Sequence, residues 1–169
     1  MKSASTILAT CAIKTPHGAF AAHYSAAGLV GLDFPGRKKA AQTPAPSPVA
    51  RRWHKRACRA LARVLQGRAA GELPPLDLAA GTPFQKKVWA ALRQIPAGQT
   101  ESYGRLAAAL GAPKAARAVG SACGANPIPL LIPCHRVLPS GGGLGGFSGG
   151  LHWKRRLLAW EACELGRIR

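Results

Sequence analysis

Apolar residues in the first 34 positions come in short runs. Ile7 to Ile13, Gly18 to Tyr24 and Leu29 to Phe34 are such stretches, separated by Pro16-His17-Gly18 and by Ala26-Ala27-Gly28. Runs of that length bounded by Pro and Gly predict strands joined by tight turns. Gly36 to Pro48 is rich in Lys, Ala and Pro and has no periodicity, which predicts an exposed connection. The period then changes. Between Arg51 and Gln66, Trp53, Ala57, Leu61, Val64 and Leu65 recur at helical spacing while Arg52, Lys55, Arg56, Arg59 and Arg63 fill the rest, predicting a basic amphipathic helix. Gly67 to Gly81, with Pro74-Pro75, reads as the connection into a second domain.

The second half is patterned for short helices. Thr82-Pro83-Phe84-Gln85 combines a capping hydroxyl, a proline at the first helical position and a glutamine three residues after the cap. Phe84, Val88, Ala91, Leu92 and Ile95 form the expected buried stripe, and Pro96-Ala97-Gly98 ends the helix. Ser102 caps a second helix running through Leu110. After a turn at Gly111-Ala112-Pro113, Lys114 to Cys123 makes a third. Helix, short Gly-containing turn, helix is a helix-turn-helix pattern. The third helix carries Ala115, Ala116, Ala118, Gly120, Ser121 and Ala122, with Arg117 as its one long side chain. Such a helix can approach another backbone closely and present a single cation; the competing reading packs it in a core with Arg117 at the solvent edge.

At 169 residues the chain holds one ordinary domain or two small ones, and 47% hydrophobic residues allow a core. Twenty-four Lys and Arg against six Asp and Glu give a net charge of +18, more than solubility requires. The cations are spread through ordered-looking segments, so the expected partner is a polyanion met by a folded surface. The basic helix is then either a solvated cover over the sheet or a direct contact to nucleic acid. No apolar run reaches the roughly 18–20 residues that span a bilayer, and the N-terminus lacks the regions of a signal peptide. A cytoplasmic protein without membrane contact is expected. Cys11, Cys58, Cys123, Cys134 and Cys163 make an odd set without C-x-x-C spacing, which favours free thiols over disulfides or a zinc site.

Chemistry concentrates at Pro133-Cys134-His135-Arg136-Val137, after Asn126-Pro127-Ile128-Pro129 and the apolar Leu130-Leu131-Ile132. A thiol becomes a nucleophile when a nearby imidazole takes its proton or lowers its pKa. Neighbours on a strand face opposite ways, so Cys134 and His135 cooperate only if the backbone turns there or a water links them. A relay also needs a carboxylate held away from water. Trp153, Leu157 and Glu161 lie four residues apart, which places Glu161 on an apolar helix face and makes it the orienting acid; a structural pairing with an arginine is the alternative. Between the two segments, Ser140 to Gly150 is a glycine-rich loop with one aromatic, Phe147, suited to wall a flat pocket. It lacks the Lys-Ser ending of a phosphate loop and any dinucleotide spacing.

From about Thr82 to Glu161 the chain resembles the O6-alkylguanine-DNA alkyltransferases, also called methylated-DNA–protein-cysteine methyltransferases. The Pro-Cys-His-Arg-Val segment carries the resemblance, together with Asn126 eight residues before the cysteine, the Ser148-Gly149 loop and Glu161. Thr15-Pro16-His17-Gly18 and Gly28-Leu29-Val30-Gly31-Leu32 are similar to the family's more variable N-terminal part. The resemblance implies an α+β protein. Residues 1–78 would form a small ribonuclease-H-like domain, and 79–169 a mostly helical, winged-helix-like domain with the helix-turn-helix.

It also implies an irreversible, single-turnover transfer of a methyl or alkyl group from O6 of guanine in double-stranded DNA, with O4 of thymine as a further substrate, onto Cys134. Glu161 would orient His135, which deprotonates Cys134 through a water. Tyr103 would protonate guanine N3 and Asn126 would hold the active-site turn. Arg117 would replace the flipped base in the stack from the minor groove. Ser140, Arg136, Val137, Phe147, Ser148 and Gly149 complete the expected DNA and substrate contacts. No cofactor or metal is implied, and a monomer, cooperative or not on DNA, is expected. Phe147 stands where many members carry tyrosine, and Glu101 puts an acid near the DNA face. Ser25 falls where zinc-binding members have a cysteine. The rivals are a non-catalytic helix-turn-helix or lesion-recognition protein, and more distantly a Cys-His-Glu hydrolase. The first has no use for the Pro133 to Val137 segment, and the second has none for the charge.

Overall fold

The computed structural model describes residues 5–36 and 45–161. Strands β1 (Ala9–Thr15), β2 (Gly18–Tyr24) and β3 (Leu29–Asp33) form an antiparallel meander in the order β1-β2-β3. Thr15 pairs with Gly18, so Pro16-His17 is a two-residue turn. That turn extends β1 past the apolar run to Lys14 and Thr15, later than its hydrophobicity suggests. Helix α1 (Pro48–Val64) starts where Ser47 caps Ala50 N. Its buried Ala50, Ala57, Ala60, Leu61 and Val64 cover the sheet through β1 and β2. The segment expected as an exposed connection, Gly36 to Pro48, lies partly outside the described residues.

Helix α2 (Pro83–Leu92) has the full capping box, with Thr82 Oγ1 accepting from Gln85 N at 3.2 Å and Gln85 Oε1 from Thr82 N at 2.9 Å. Its buried residues are Val88, Trp89 and Leu92, which corrects the predicted stripe. The helix stops at Leu92, so Ile95 lies beyond it. The Trp89 indole donates to the Ala122 carbonyl at 2.9 Å and so rotates the face toward the third helix of this half. β4 (Glu101–Ser102) leads into α3 (Tyr103–Ala109), capped by Ser102, and α4 (Ala116–Gly124) follows a turn. α4 packs on α2 and α3, the expected helix-turn-helix. A 3₁₀ turn at Cys134–Arg136 precedes β5 (Val137–Leu138), which pairs in parallel with β4, and α5 (Leu151–Trp160) closes the described chain.

The architecture is α+β. One hydrophobic cluster runs from Phe20 and Leu32 of the sheet through Leu61 of α1 to Val119, Ile128 and Trp153. A backbone bond stitches the halves together, Leu32 N donating to the Pro127 carbonyl at 2.9 Å, while Leu29 N donates to that of Pro75 at 2.8 Å and ties the connecting segment to the sheet. His17, in the β1–β2 turn, stacks on Trp160 with centroids 4.6 Å apart and meets Arg156 Nη2 at 3.0 Å. No helix among the described residues is long and apolar enough to cross a membrane.

Gly67 sets the end of α1 against the end of α5. Its φ is +72°, and a Cβ there would lie 1.9 Å from the Trp160 carbonyl oxygen and 3.1 Å from Glu161 N. Gly67→Ala therefore combines left-handed strain with a backbone collision, and we expect it to cost at least about 2 kcal/mol. Thermal unfolding checks this: the melting temperature should fall by roughly 4–8 °C for a chain of this size, and an unchanged value would show that α5 does not pack against this turn.

Candidate functional site

The site begins with a clasp. Asn126 Oδ1 accepts from Ile128 N at 3.0 Å, while its Nδ2 donates to the Ile132 carbonyl at 2.8 Å and lies 3.2 Å from Cys134 Sγ. One side chain thereby closes the loop before the cysteine and touches its sulfur. At the apex Leu130 takes φ +72°, the single non-glycine positive φ among the described residues. That conformation costs about 1–2 kcal/mol, offset here by burial of Leu130 and by the bond from Ile132 N to the Ile128 carbonyl at 2.9 Å.

The 3₁₀ turn then separates the two neighbours that a strand would have set on opposite faces. Cys134 faces a cavity of about 710 Å³, whereas His135 and Arg136 run to Glu161. His135 Nε2 is 2.9 Å from Glu161 Oε1, Arg136 Nη2 is 2.8 Å from the same oxygen, and Arg136 Nε is 3.0 Å from Oε2. Gly98 N adds a bond to Oε2 at 3.3 Å, and Arg136 Nη1 donates to the Ile95 carbonyl at 2.6 Å. Glu161 caps α5 instead of lying within it, and its carboxylate is fully buried. The carboxylate thus bonds both residues that the sequence offered as alternatives, the imidazole and an arginine.

Burial alone would raise the Glu161 pKa, but the bonds from His135 and Arg136 and their charges hold it down to about 2. Burial lowers that of His135, against the pull of Glu161. A neutral imidazole facing an ionised carboxylate, which only accepts, must carry its proton on Nε2. Nδ1 is then the basic nitrogen, and it is buried without a partner among the described residues. Burial also raises the Cys134 thiol, opposed by Asn126 and by the charge of Lys154. The thiol is therefore held neutral with a base close in sequence.

Lys154 was not anticipated. It is fully buried on α5, with Nζ donating to the Val137 carbonyl at 2.8 Å and lying 3.5 Å from that of Gly146 and 6.0 Å from the Tyr103 ring centre. It ties the glycine-rich loop to β5, and burial brings its pKa down to about 8 despite the pull of Cys134 and Cys123. The signal was present: Lys154 lies three residues before Leu157 and seven before Glu161, which puts it on the same helix face.

The cavity collects Tyr103, Arg117, Cys134, Ser140, Phe147 and Ser148. Arg117 is exposed at its edge, and Gly120 of α4 faces the Tyr103 ring across a gap that a Cβ would fill to 3.9 Å. Tyr103 is pushed up to about 12 by burial and by the neighbouring thiols, so it is a proton donor at neutral pH. Ser148 Oγ is buried without a partner in the described residues. Phe147 stands edge-on to His135, 6.4 Å between centres.

Three predicted contacts lie elsewhere. Arg136 is consumed by Glu161, and buried Val137 offers its carbonyl to Lys154. Gly149 gives room to Phe34, whose ring a Cβ would meet at 2.5 Å. Glu101 is neutralised locally by Arg105 at 3.2 Å. Ser25, set by the sequence resemblance where zinc-binding members have a cysteine, hydrogen-bonds Asp77.

Residues 83–163 match the DNA-binding domain of 6-O-methylguanine DNA methyltransferase. A methylated-DNA–protein-cysteine methyltransferase of Salmonella typhimurium is 54% identical over 96 residues, covering 54% of this chain and 56% of that protein, so the match spans little more than half the relative's length. One from Methanosarcina barkeri is 42% identical over 158 residues, 90% of this chain and 96% of its own. The chain belongs to the methylated-DNA–protein-cysteine methyltransferase family. Mycobacterium tuberculosis OGT, solved in complex with DNA, superposes with a TM-score of 0.74 at 39% identity, over 89% of this chain and 90% of that one. The sequence resemblance that began at Thr82 therefore extends in fold to the N-terminal sheet.

Glu161→Gln leaves Arg136 buried without its counter-charge, and we expect a loss of about 3–5 kcal/mol. The pH dependence carries the same signature. Because the folded-state pKa of Glu161 is depressed, its stabilisation is complete above the unfolded value, 4.5, and is lost as pH falls toward about 2. Denaturant titrations from pH 7 to pH 2 should show this acid-side loss in the wild type and a flatter curve in the variant; parallel curves would mean that Glu161 is not the acid-sensitive group.

Proposed function

We propose that this methyltransferase-family protein repairs alkylated DNA by moving a methyl or alkyl group from O6 of guanine onto Cys134 in one irreversible step. The observation that carries the reading is a buried thiol at the floor of a largely apolar cavity, next in the chain to an imidazole whose unprotonated nitrogen has no partner among the described residues.

In the proposed reaction the Cys134 proton passes to His135 Nδ1 through a water, and Glu161 stabilises the imidazolium that results. The Sγ–carbon bond forms as the carbon–O6 bond breaks. The released electron pair goes to the base, where Tyr103 supplies a proton to N3, and Ser148 or its neighbours donate to O6. The thioether is stable, so each molecule acts once and the reaction as written consumes no cofactor.

A guanine inside a duplex is out of reach, so the base is flipped at a cost of about a few kcal/mol, least for a pair weakened by alkylation. The small side chains of α4 let that helix approach the minor groove, and Arg117 at the cavity edge fills the space the base leaves. Phe147 keeps the apolar wall without a hydroxyl, and O4-alkylthymine is a second substrate of the same chemistry. We read residues 1–78 as a ribonuclease-H-like unit and 79–169 as a winged-helix-like one, acting as a cytoplasmic monomer.

The test is stoichiometric. Purified protein is incubated with excess O6-methylguanine duplex and followed by intact mass and peptide mapping beside Cys134→Ala. One methyl per molecule on Cys134, and none in the variant, is expected. Unmodified protein still bound to the lesion would make it a recognition module, and continued turnover would make it a true catalyst.

A further inference from the structure

The lesion site leaves the charge of α1 unused. At 3.6 residues per turn, Arg51, Arg52, Lys55 and Arg59 fall within an arc of roughly 100°, opposite the buried Ala50, Ala57, Ala60, Leu61 and Val64, and all four are exposed. The helix contains no acid. The five described carboxylates pair with other residues than these four: Glu72 with Arg56 on the flank of α1, Asp33 with His23, Asp77 with Ser25, Glu101 with Arg105 and Glu161 with Arg136.

This arrangement works against the helix. Arg51 and Arg52 stand in the first turns, near the positive end of the backbone dipole. Arg51–Lys55, Lys55–Arg59 and Arg59–Arg63 are like-charged neighbours four residues apart, a spacing at which such pairs repel. A solvated cover for the sheet would be more stable with alternating signs, so the uniform charge is explained by an anionic partner outside the chain.

We infer that the exposed face of α1 is a second, sequence-independent binding surface for the phosphate backbone of duplex DNA, separate from the helix-turn-helix. The inference rests on the repair reading for the identity of the polyanion. No residue of α1 lines the cavity in front of Cys134. Arg56 instead lines a groove with Arg93, Pro133 and Arg136, behind the turn that carries the cysteine. DNA on α1 is therefore a different segment from the one whose base enters the cavity, further along the same, bent duplex.

Binding to undamaged duplexes of one and of several helical turns, measured across salt concentration, tests this with an R51Q/R52Q/K55Q/R59Q variant. Each lost phosphate contact lowers the slope of log K against log salt by about 0.9. The variant's slope should fall by about 2–4 on the long duplex, stay unchanged on the short one, and leave transfer to Cys134 from saturating lesion duplex at the wild-type level. An R51K/R52K/R59K variant, which keeps the charge, should keep the wild-type slope. Relief of like-charge contacts should let the glutamine variant melt no lower than the wild type. A wild-type slope in the folded glutamine variant overturns the inference, as does an equal fall on both duplexes, or anionic vesicles that need these cations while DNA does not. If DNA binding depends on α1 yet Cys134 is never alkylated, the repair reading fails and the phosphate surface stands.

Discussion

One buried carboxylate organises the reactive end of the molecule. Glu161 receives Nε2 of His135, two nitrogens of Arg136 and the backbone of Gly98, so it joins the 3₁₀ turn, the end of α5 and the loop after α2 at a single point. Burying a charge is favourable only when its hydrogen-bonding capacity is met. Here the arginine supplies the counter-charge, which frees the histidine from that duty. His135 can then stay neutral, with its tautomer fixed by the same carboxylate. A lone Glu–His pair in this setting would draw the proton onto the imidazole and leave no base for the thiol.

The second constraint is the backbone at Leu130. The turn from Asn126 to Pro133 is short, strained and built from residues that cannot form regular structure. It holds because Asn126 replaces missing backbone bonds with two of its own. The same amide contacts the sulfur, so the position of the nucleophile and the integrity of the turn are one property. Lys154 does the corresponding work on the other wall of the cavity, pinning β5 and Gly146. These two polar side chains, sealed among apolar neighbours, fix the cavity more firmly than the flexible glycines that line it.

Much of this was legible in the sequence. The capping box at Thr82, the strand meander, the small third helix and the spacing of Trp153, Leu157 and Glu161 each rest on a local rule, and local rules survive folding. Errors arose where a distant partner decided the outcome. Trp89 is buried because Ala122 offers it a carbonyl, and the stripe of α2 turned with it. Arg136 reads as a DNA contact in a basic chain, yet a carboxylate 25 residues away claims it. Lys154 went unnoticed because lysine is rarely buried, although its place on the face shared with Glu161 was visible. Gly149 reads as a substrate contact in the glycine-rich loop, and only the packing of Phe34 shows it as a requirement for space.

The electrostatics of the thiol bear on what kind of reagent the protein is. Burial raises the pKa of Cys134 and Lys154 only partly offsets it, so the resting sulfur is protonated. Thiolates react with many electrophiles, and a protein that cannot regenerate its nucleophile loses a whole molecule to each unproductive encounter. A neutral, buried thiol is a poor target for such reagents. On the proposed route its proton passes through a water to His135 as the electrophilic carbon is seated against the sulfur. For the single-use nucleophile proposed above, the raised pKa is not an obstacle that the site overcomes but the means by which the sulfur is kept for the substrate that fits.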